Sequence, residues 1–170
     1  MPTAYGSYDE LLADPETEAV YIPLPNGLHA EWSIKALRAG KHVLCEKPLT
    51  MDAAEAWEVQ AVRDETGLYC LEAFAYRFNP VVAKAFEIAQ SGVLGDLRFM
   101  HTASTFLMEQ PYDPTNVRLR ADIGGGALYD MGCYAINAQR MLADREPQSA
   151  WAAMTWSERF DVDMSGTAIL

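Results

Sequence analysis

The sequence predicts an α/β fold in two parts. Residues 1–74 read as a partial domain with a parallel sheet, because helix and strand patterns alternate there with short joins. Residues 75–170 read as a partial α+β domain with a mainly antiparallel sheet, because its last strand-like runs follow one another without helices between them. The pattern changes near Phe74, where we place the domain boundary.

In the first part, Ser7 and Glu10 have the spacing of a capping box and begin a short helix that ends near Asp14. Two further helices are predicted to end at Gly40 and Gly67, because glycine is favoured just after a helix. The apolar runs between the helices predict three parallel strands, at Ala19–Leu24, His42–Cys45 and Leu68–Phe74.

In the second part, Asn79-Pro80 begins a helix over Val81–Gln90, and a second helix spans Ala127–Leu142. Strands are predicted at Asp96–Met108, Ala150–Ser157 and Phe160–Leu170, since these runs are rich in β-branched and aromatic residues. The first of these strands would present Phe99, His101, Ala103 and Thr105 on one open face.

Composition excludes several classes of protein. The net charge is −11, with 13 basic and 24 acidic residues and no basic stripe, so neither nucleic acid nor an anionic membrane is an expected partner. Three widely spaced cysteines, with no metal-ligand spacing, predict reduced thiols, a cytoplasmic protein and no metal site. Both ends of the sequence read as those of a fragment.

The run from Gly40 to Leu49 organises the first part. A β-rich stretch stops abruptly at Glu46-Lys47-Pro48, because proline lacks an N–H and fixes its own φ. Lys47 therefore lies at the carboxyl end of a strand, where open α/β sheets bind their ligands. A solvated turn explains the tripeptide equally simply when it is taken alone.

The run from Gly124 to Tyr134 organises the second part. Three glycines precede a helix, whose N-terminus favours negative charge and whose loop can approach a ligand closely; a flexible turn is the alternative. Asp130 and Tyr134 are four residues apart, so both lie on one face of the helix. A surface aspartate beside a core tyrosine is the structural alternative.

Three motifs together resemble the Gfo/Idh/MocA oxidoreductase family. They are Pro25-Asn26-Gly27-Leu28-His29, Ala36-Leu37-Arg38-Ala39-Gly40-Lys41-His42-Val43-Leu44-Cys45-Glu46-Lys47-Pro48-Leu49, and Gly124-Gly125-Gly126-Ala127-Leu128-Tyr129-Asp130-Met131-Gly132-Cys133-Tyr134. The tyrosine at position 134 is similar to the branch of glucose-fructose oxidoreductase, dihydrodiol dehydrogenase and xylose-type dehydrogenases. The resemblance implies that the parallel sheet is part of a Rossmann-type domain.

The resemblance also implies roles for individual residues. Lys47, Asp130 and Tyr134 would be catalytic, with Tyr134 as the acid–base group and Lys47 lowering a tyrosine pKa that is otherwise about 10. Arg77, Asn79 and Asp130 would reach a sugar or polyol substrate. The residues implied to contact NAD or NADP are Pro25, Asn26, His29, Glu46, Lys47 and Arg118. A homodimer or homotetramer through the C-terminal sheet is implied as well.

One departure from the family is plain. No Gly-x-Gly-x-x-Gly unit occurs in the sequence, so this polypeptide by itself is expected to bind dinucleotide poorly or not at all. Two alternatives to an oxidoreductase stay open: a non-catalytic NAD(P)-sensing regulatory protein on the same scaffold, and an inactive truncated product. A sensor needs none of Lys47, Asp130 and Tyr134, so their presence favours the enzyme.

Overall fold

The computed structural model describes residues 3–170, and the chain divides between Ala73 and Phe74 into two units. The first unit contains a parallel sheet with helices, and the second contains helices and an antiparallel strand pair. The fold class predicted from the sequence is therefore confirmed. Within residues 3–170, no helix combines the length and apolarity needed to cross a membrane.

The first unit is built on three parallel strands in the order β1-β2-β3. These strands are β1 (Ala19–Ile22), β2 (His42–Cys45) and β3 (Cys70–Glu72). Val20 pairs in register with Val43, and Val43 with Cys70, on the face that carries the core. The other face exposes Tyr21, Leu44 and Leu71, which lie side by side across the strands. β2 has the predicted bounds, whereas β1 and β3 are shorter than predicted. Only one face of the sheet is fully buried.

Three helices complete this unit: α1 (Tyr8–Ala13), α2 (His29–Arg38) and α3 (Ala53–Thr66). Leu37 of α2 and Val59 of α3 are almost fully buried in the core below the sheet. Burial of each such side chain stabilises the fold by roughly 1.5–3 kcal/mol. The two helices hold the sheet from one side and thereby fix where its loops lie.

The predicted helix ends of the first unit are confirmed. The Ser7 hydroxyl accepts a hydrogen bond from the Glu10 N–H at 3.1 Å, and Asp52 caps α3 by accepting from the Glu55 N–H at 2.9 Å. Gly67 ends α3 with a φ of +68°, in the left-handed region that only glycine enters without strain.

The second unit contains α4 (Pro80–Gln90), α5 (Cys133–Ala143), β4 (Trp151–Trp156) and β5 (Asp163–Ile169). A π-helical turn at Leu128–Gly132 runs directly into α5. The strands β4 and β5 pair antiparallel, with Trp151 opposite Ile169 and a bulge between Thr155 and Trp156. The two helices and the last two strands agree with the order predicted after residue 79.

The strand predicted at Asp96–Met108 is wrong. Residues 97–108 form no strand in the described part of the chain. Thr102 of this segment is hydrogen-bonded to α5. The Thr102 hydroxyl donates to the Ala135 carbonyl at 3.4 Å and accepts from the Gln139 amide at 2.9 Å. β-propensity measures how well side chains fit a pleated surface, and a strand also needs a backbone partner for its N–H and C=O groups.

The predicted open face of this segment is corrected with it. Phe99, His101, Ala103 and Thr105 belong to an irregular stretch and not to a sheet face. Together with α5 and β5, residues 97–108 border a groove of about 1390 Å³ inside the second unit. The antiparallel sheet accordingly begins at Trp151, and not near Asp96.

Candidate active site

Lys47 lies in the loop that leaves β2, at the carboxyl edge of the parallel sheet. The strand ends at Cys45, Glu46 follows, and the Lys47–Pro48 peptide bond is cis. The phenol of Tyr21, on β1, donates a hydrogen bond to the Glu46 carboxylate at 2.6 Å. This hydrogen bond to an anion raises the pKa of Tyr21 above its ordinary value. The residue before Lys47 is therefore anchored to the neighbouring strand.

His29 anchors the same loop from the other side. Its ring is fully buried, with Nε2 2.7 Å from the Leu24 carbonyl oxygen and Nδ1 2.7 Å from the Pro48 carbonyl oxygen. The imidazole thus connects the loop after β1 with the loop after β2. Both of its ring nitrogens face backbone carbonyls, so its contact with a cofactor stays a prediction.

A third attachment comes from the end of β3. Glu72 accepts a hydrogen bond from the Leu49 N–H at 2.8 Å, just beyond Lys47 and Pro48. Pro25 and Asn26 lie in the loop after β1, where a short 3₁₀ turn at Asn26–Leu28 precedes α2. The loops after β1 and β2 and the last residue of β3 therefore meet at one edge of the sheet, which is the ligand-binding edge of such folds.

Cys45, the last residue of β2, is an unreactive thiol next to this edge. Cys45 is fully buried, and burial raises the pKa of its thiol to about 12. The thiol is therefore protonated at neutral pH and is unsuited to act as a nucleophile. All three cysteines are free, as the sequence predicted.

In the second unit, the three glycines form a tightly packed turn and not a flexible one. The Gly125 N–H donates to the Arg120 carbonyl at 2.8 Å, and the Gly126 N–H donates to the Arg118 carbonyl at 2.9 Å. A Cβ atom on Gly125 would lie 2.7 Å from the Arg118 carbonyl oxygen and 2.8 Å from two backbone atoms of Arg120. Gly125 is needed because the backbone at Arg118 and Arg120 packs against it.

This turn leads into the helix that carries Asp130 and Tyr134, which are called the acid–base pair below. The Asp130 N–H donates to the Gly126 carbonyl at 3.1 Å, and the Asp130 carboxylate accepts from Arg118 Nε at 2.7 Å. The aspartate side chain is 17% exposed and that of the arginine 43%. Arg118 therefore orients Asp130 and supplies the positive charge that a half-buried carboxylate needs. The contact of Arg118 with a cofactor stays a prediction.

Tyr134 stands among aromatic rings at the start of α5. Its ring centroid lies 5.5 Å from that of Phe74 and 5.9 Å from that of Tyr76, both in edge-on geometry. The Tyr76 phenol donates to the Asn137 side-chain oxygen at 2.6 Å, so this neighbour is fixed to the same helix. Edge-to-face contacts of this kind each contribute about 0.5–1.5 kcal/mol and hold the tyrosine ring in place.

The two residues predicted to reach substrate lie between the aromatic cluster and α4. Arg77 is exposed in a 3₁₀ turn at Ala75–Phe78. Asn79 caps α4, since its side-chain oxygen accepts from the Val81 N–H at 2.9 Å. Asn79 thus has a structural task, and the substrate contacts of both residues stay predictions.

Asp163 is the residue of this region that the sequence did not indicate. It is 7% exposed, and its carboxylate accepts from the Leu128 N–H at 2.7 Å, which places a negative charge at the start of the π-helical turn. Leu128 and Asp163 are 35 positions apart in the chain, so no local motif could have linked them. Among residues 3–170, no group of three or more acidic, histidine or cysteine side chains is arranged to hold a metal ion.

The fold and these loops define a class of protein, which comparison with known proteins identifies. Residues 1–74 match the model of an oxidoreductase family with an NAD-binding Rossmann fold. Residues 82–170 match the GFO/IDH/MocA C-terminal domain. The chain belongs to the GFO/IDH/MocA oxidoreductase family.

Similar proteins act on sugars and related compounds. The chain is 42% identical over its whole length to a D-xylose 1-dehydrogenase (NADP⁺) of Haloferax volcanii, of which it covers 51%. It is 38% identical to a 3-ketoreductase of Actinomadura kijaniata, solved with NADP and TDP-benzene, with a TM-score of 0.79 over 95% of this chain and 49% of that one. An aldose-aldose oxidoreductase of Caulobacter crescentus, solved with glycerol, is 29% identical, with a TM-score of 0.81 over 96% of this chain and 50% of that one. The chain therefore spans about half the length of these relatives.

Proposed function

We propose that the intact protein is an NAD(P)-dependent oxidoreductase that oxidises a sugar or polyol hydroxyl, or reduces the corresponding carbonyl. The observation that carries the proposal is the ordered presentation of Asp130 and Tyr134 on one helix, with Arg118 holding the Asp130 carboxylate at 2.7 Å. A helix fixed in this way suits acid–base chemistry, which needs groups held in one geometry. Membership of an oxidoreductase family and the sugar-related relatives support the substrate class.

We assign the two units to the two partners of the reaction. The first unit would hold the nicotinamide end of the cofactor at the sheet edge where Asn26 and Lys47 lie, and the second unit would bind the substrate. The loop after β2, held by three side chains at the carboxyl edge, fits this task, since ligands of such sheets bind there. A bound nicotinamide would supply the acceptor or donor of hydride.

The proton is moved by this chain's own residues. During oxidation the phenolate of Tyr134 takes the proton of the substrate hydroxyl as the carbonyl forms and hydride leaves the carbon. During reduction the Tyr134 phenol returns that proton to the forming alkoxide. The Lys47 ammonium stabilises the phenolate by its charge, and Asp130 binds a neighbouring substrate hydroxyl.

The decisive experiment replaces Tyr134 with phenylalanine in the intact protein. Removal of the hydroxyl alone should leave folding and cofactor binding unchanged, while kcat falls by about 10²–10⁴-fold, as expected for a lost acid–base group. NADH and NADPH formation would be followed with D-xylose and related sugars. Tyr69→Phe is the matched control, because that side chain is 72% exposed in the first unit. Cofactor binding without turnover of any sugar or polyol would favour the regulatory protein and overturn the enzyme.

Two further properties are proposed for the intact protein. It associates as a homodimer or homotetramer through the antiparallel sheet of the second unit. It resides in the cytoplasm, in keeping with three cysteines that form no disulfide.

A further inference from the structure

The start of the helix that carries Asp130 and Tyr134 is occupied by a carboxylate of the protein itself. Asp163, the first residue of β5, is 7% exposed, and one carboxylate oxygen accepts from the Leu128 N–H at 2.7 Å. The first N–H groups of a helix have no partners within the helix and carry partial positive charge. Asp163 is therefore a capping anion supplied from a different element.

The second oxygen of Asp163 explains one glycine of the turn. A Cβ atom on Gly126, whose φ is +113°, would lie 2.1 Å from Asp163 Oδ1. A separation this small is an overlap of atoms, so only glycine leaves room for the carboxylate. The glycine-rich turn thus has a use that the sequence alone did not suggest: it admits Asp163.

Among the described residues, no positively charged side chain pairs with the Asp163 carboxylate. In the part of the chain that the structure describes, no salt bridge reaches this carboxylate. An ionised carboxylate buried in this way is costly unless donors and dipoles stabilise it. The helix start is what stabilises it, so the position of Asp163 and that of the helix depend on each other.

We propose that Asp163 is a positioning residue for the acid–base pair, a role that rests on the proposed function. It fixes the π-helical turn at Leu128–Gly132 by holding the Leu128 N–H and filling the space beside Gly126. Asp130 lies within that turn, and Tyr134 follows one turn later. Loss of the anchor lets the turn shift, and a displacement of about 1 Å at reacting groups can cost about 10²-fold in rate.

The test uses Asp163→Asn and Asp163→Ala in the intact enzyme, with Asp161→Asn as the matched control on the exposed neighbouring position. Asparagine keeps an oxygen that can accept from Leu128 but carries no charge, so kcat should fall about tenfold. Alanine keeps neither, so kcat should fall about 100-fold. KM and cofactor affinity should change less than threefold in both variants, and the control should match the wild type. Equal effects on kcat and on cofactor affinity would overturn the proposal.

A double-mutant cycle separates positioning from general loss of stability. If Asp163 acts through the acid–base pair, Asp163→Asn should lower turnover by less than twofold in a Tyr134→Phe background, because there is no hydroxyl left to position. A merely structural role predicts the same tenfold loss in both backgrounds and would overturn the proposal. Gly126→Ala displaces the carboxylate and also strains a backbone whose φ is +113°, so kcat should fall at least as far as in Asp163→Asn.

The anchoring role of Asp163 and the acid–base role of Tyr134 are tested by separate measurements. If Tyr134→Phe itself leaves turnover intact, the assigned chemistry is wrong and the cycle has no baseline. Amide exchange then tests the anchor directly: Asp163→Asn should raise the exchange rate at Leu128 and Asp130 at least tenfold over the Asp161→Asn control. An unchanged rate at both amides would overturn the anchoring of the helix.

Discussion

Lys47 is presented by a loop that three side chains hold at once. Tyr21 holds the residue before it, His29 holds the carbonyl of the residue after it, and Glu72 holds the Leu49 N–H. A lysine has a long, flexible side chain, so a fixed backbone is the part of its positioning that the fold can supply. The buried His29 contributes to this arrangement because its two ring nitrogens lie 2.7 Å from carbonyl oxygens of two different loops.

The proposed role of Lys47 predicts a graded response to substitution. Lys47→Ala should lower kcat/KM by at least the ~10²–10⁴-fold expected for Tyr134→Phe, because it removes both a ligand contact and the charge that favours the phenolate. Lys47→Arg keeps the charge but replaces a point donor with a planar fork, so part of the activity should remain. The measurement is kcat/KM between about pH 6 and pH 10, around the ordinary lysine and tyrosine ranges.

Lys84→Ala serves as the control, because Lys84 is exposed and pairs with Glu87 on the surface of α4. Turnover that survives Lys47→Ala would contradict the assignment of this lysine. A second outcome is equally informative: an active Tyr134→Phe enzyme beside a dead Lys47→Ala enzyme would make Lys47, or a water, the proton carrier.

At the scale of the element, the glycine turn and the helix after it behave as one unit. The turn bonds back to the backbone of residues 118–120, and Arg118 then reaches forward to Asp130. Both ends of the ion pair are therefore set by the same short stretch of backbone. A π-helical turn at this place agrees with the frequent occurrence of such turns at functional sites.

The packing of this turn predicts that Gly125→Ala destabilises the protein. The new Cβ would meet three backbone atoms at 2.7–2.8 Å, and backbone cannot move aside as a flexible side chain can. Overpacking of this kind costs about 1–3 kcal/mol in the free energy of unfolding. Urea denaturation of the intact protein measures it. Gly6→Ala, where the nearest atom is a Glu10 side-chain oxygen at 3.3 Å, should change that free energy by less than about 0.5 kcal/mol.

Local patterns in the sequence were enough to predict the elements whose causes are local. Ser7 caps its helix as the spacing indicated, and the stop at Pro48 ends β2 before Glu46. The strand at residues 96–108 failed because pairing depends on a partner elsewhere in the chain. Asp163 was missed for the same reason, and so was the bond between Arg118 and Asp130, which joins side chains 12 positions apart. Contacts between distant positions decide most of the site geometry, and one sequence does not record them.

At the scale of the whole molecule, the antiparallel sheet is the surface best suited to a second copy of the protein. The chain carries a net charge of −11, so two copies repel each other unless an uncharged patch is available. Asp163 is the one charged residue in the sequences of β4 and β5, and it is buried. Trp151 is 59% exposed and Ile169, its partner in register, is 65% exposed. An uncharged, partly apolar sheet of this kind is typical of an interaction surface.

Light scattering of the intact protein should therefore give the mass of a dimer or tetramer at micromolar concentration. Trp151→Lys places a charge on the proposed contact face, at the end of the strand pair, and should shift the equilibrium toward monomer. Trp57→Lys, on the exposed surface of α3, should leave the mass unchanged. A monomeric wild type would defeat the proposed association, and an unchanged mass for Trp151→Lys would defeat the proposed face.

The buried thiol of Cys45 gives the first unit a reporter of its own opening. With Cys70→Ala and Cys133→Ala in place, an alkylating reagent could reach the remaining sulfur only when the parallel sheet separates from α2 and α3. The labelling rate then measures how often that unit opens, while the second unit contributes nothing to the signal. A single thermal transition reports the unfolding of both units together. The labelling rate of Cys45 would report the stability of the first unit separately.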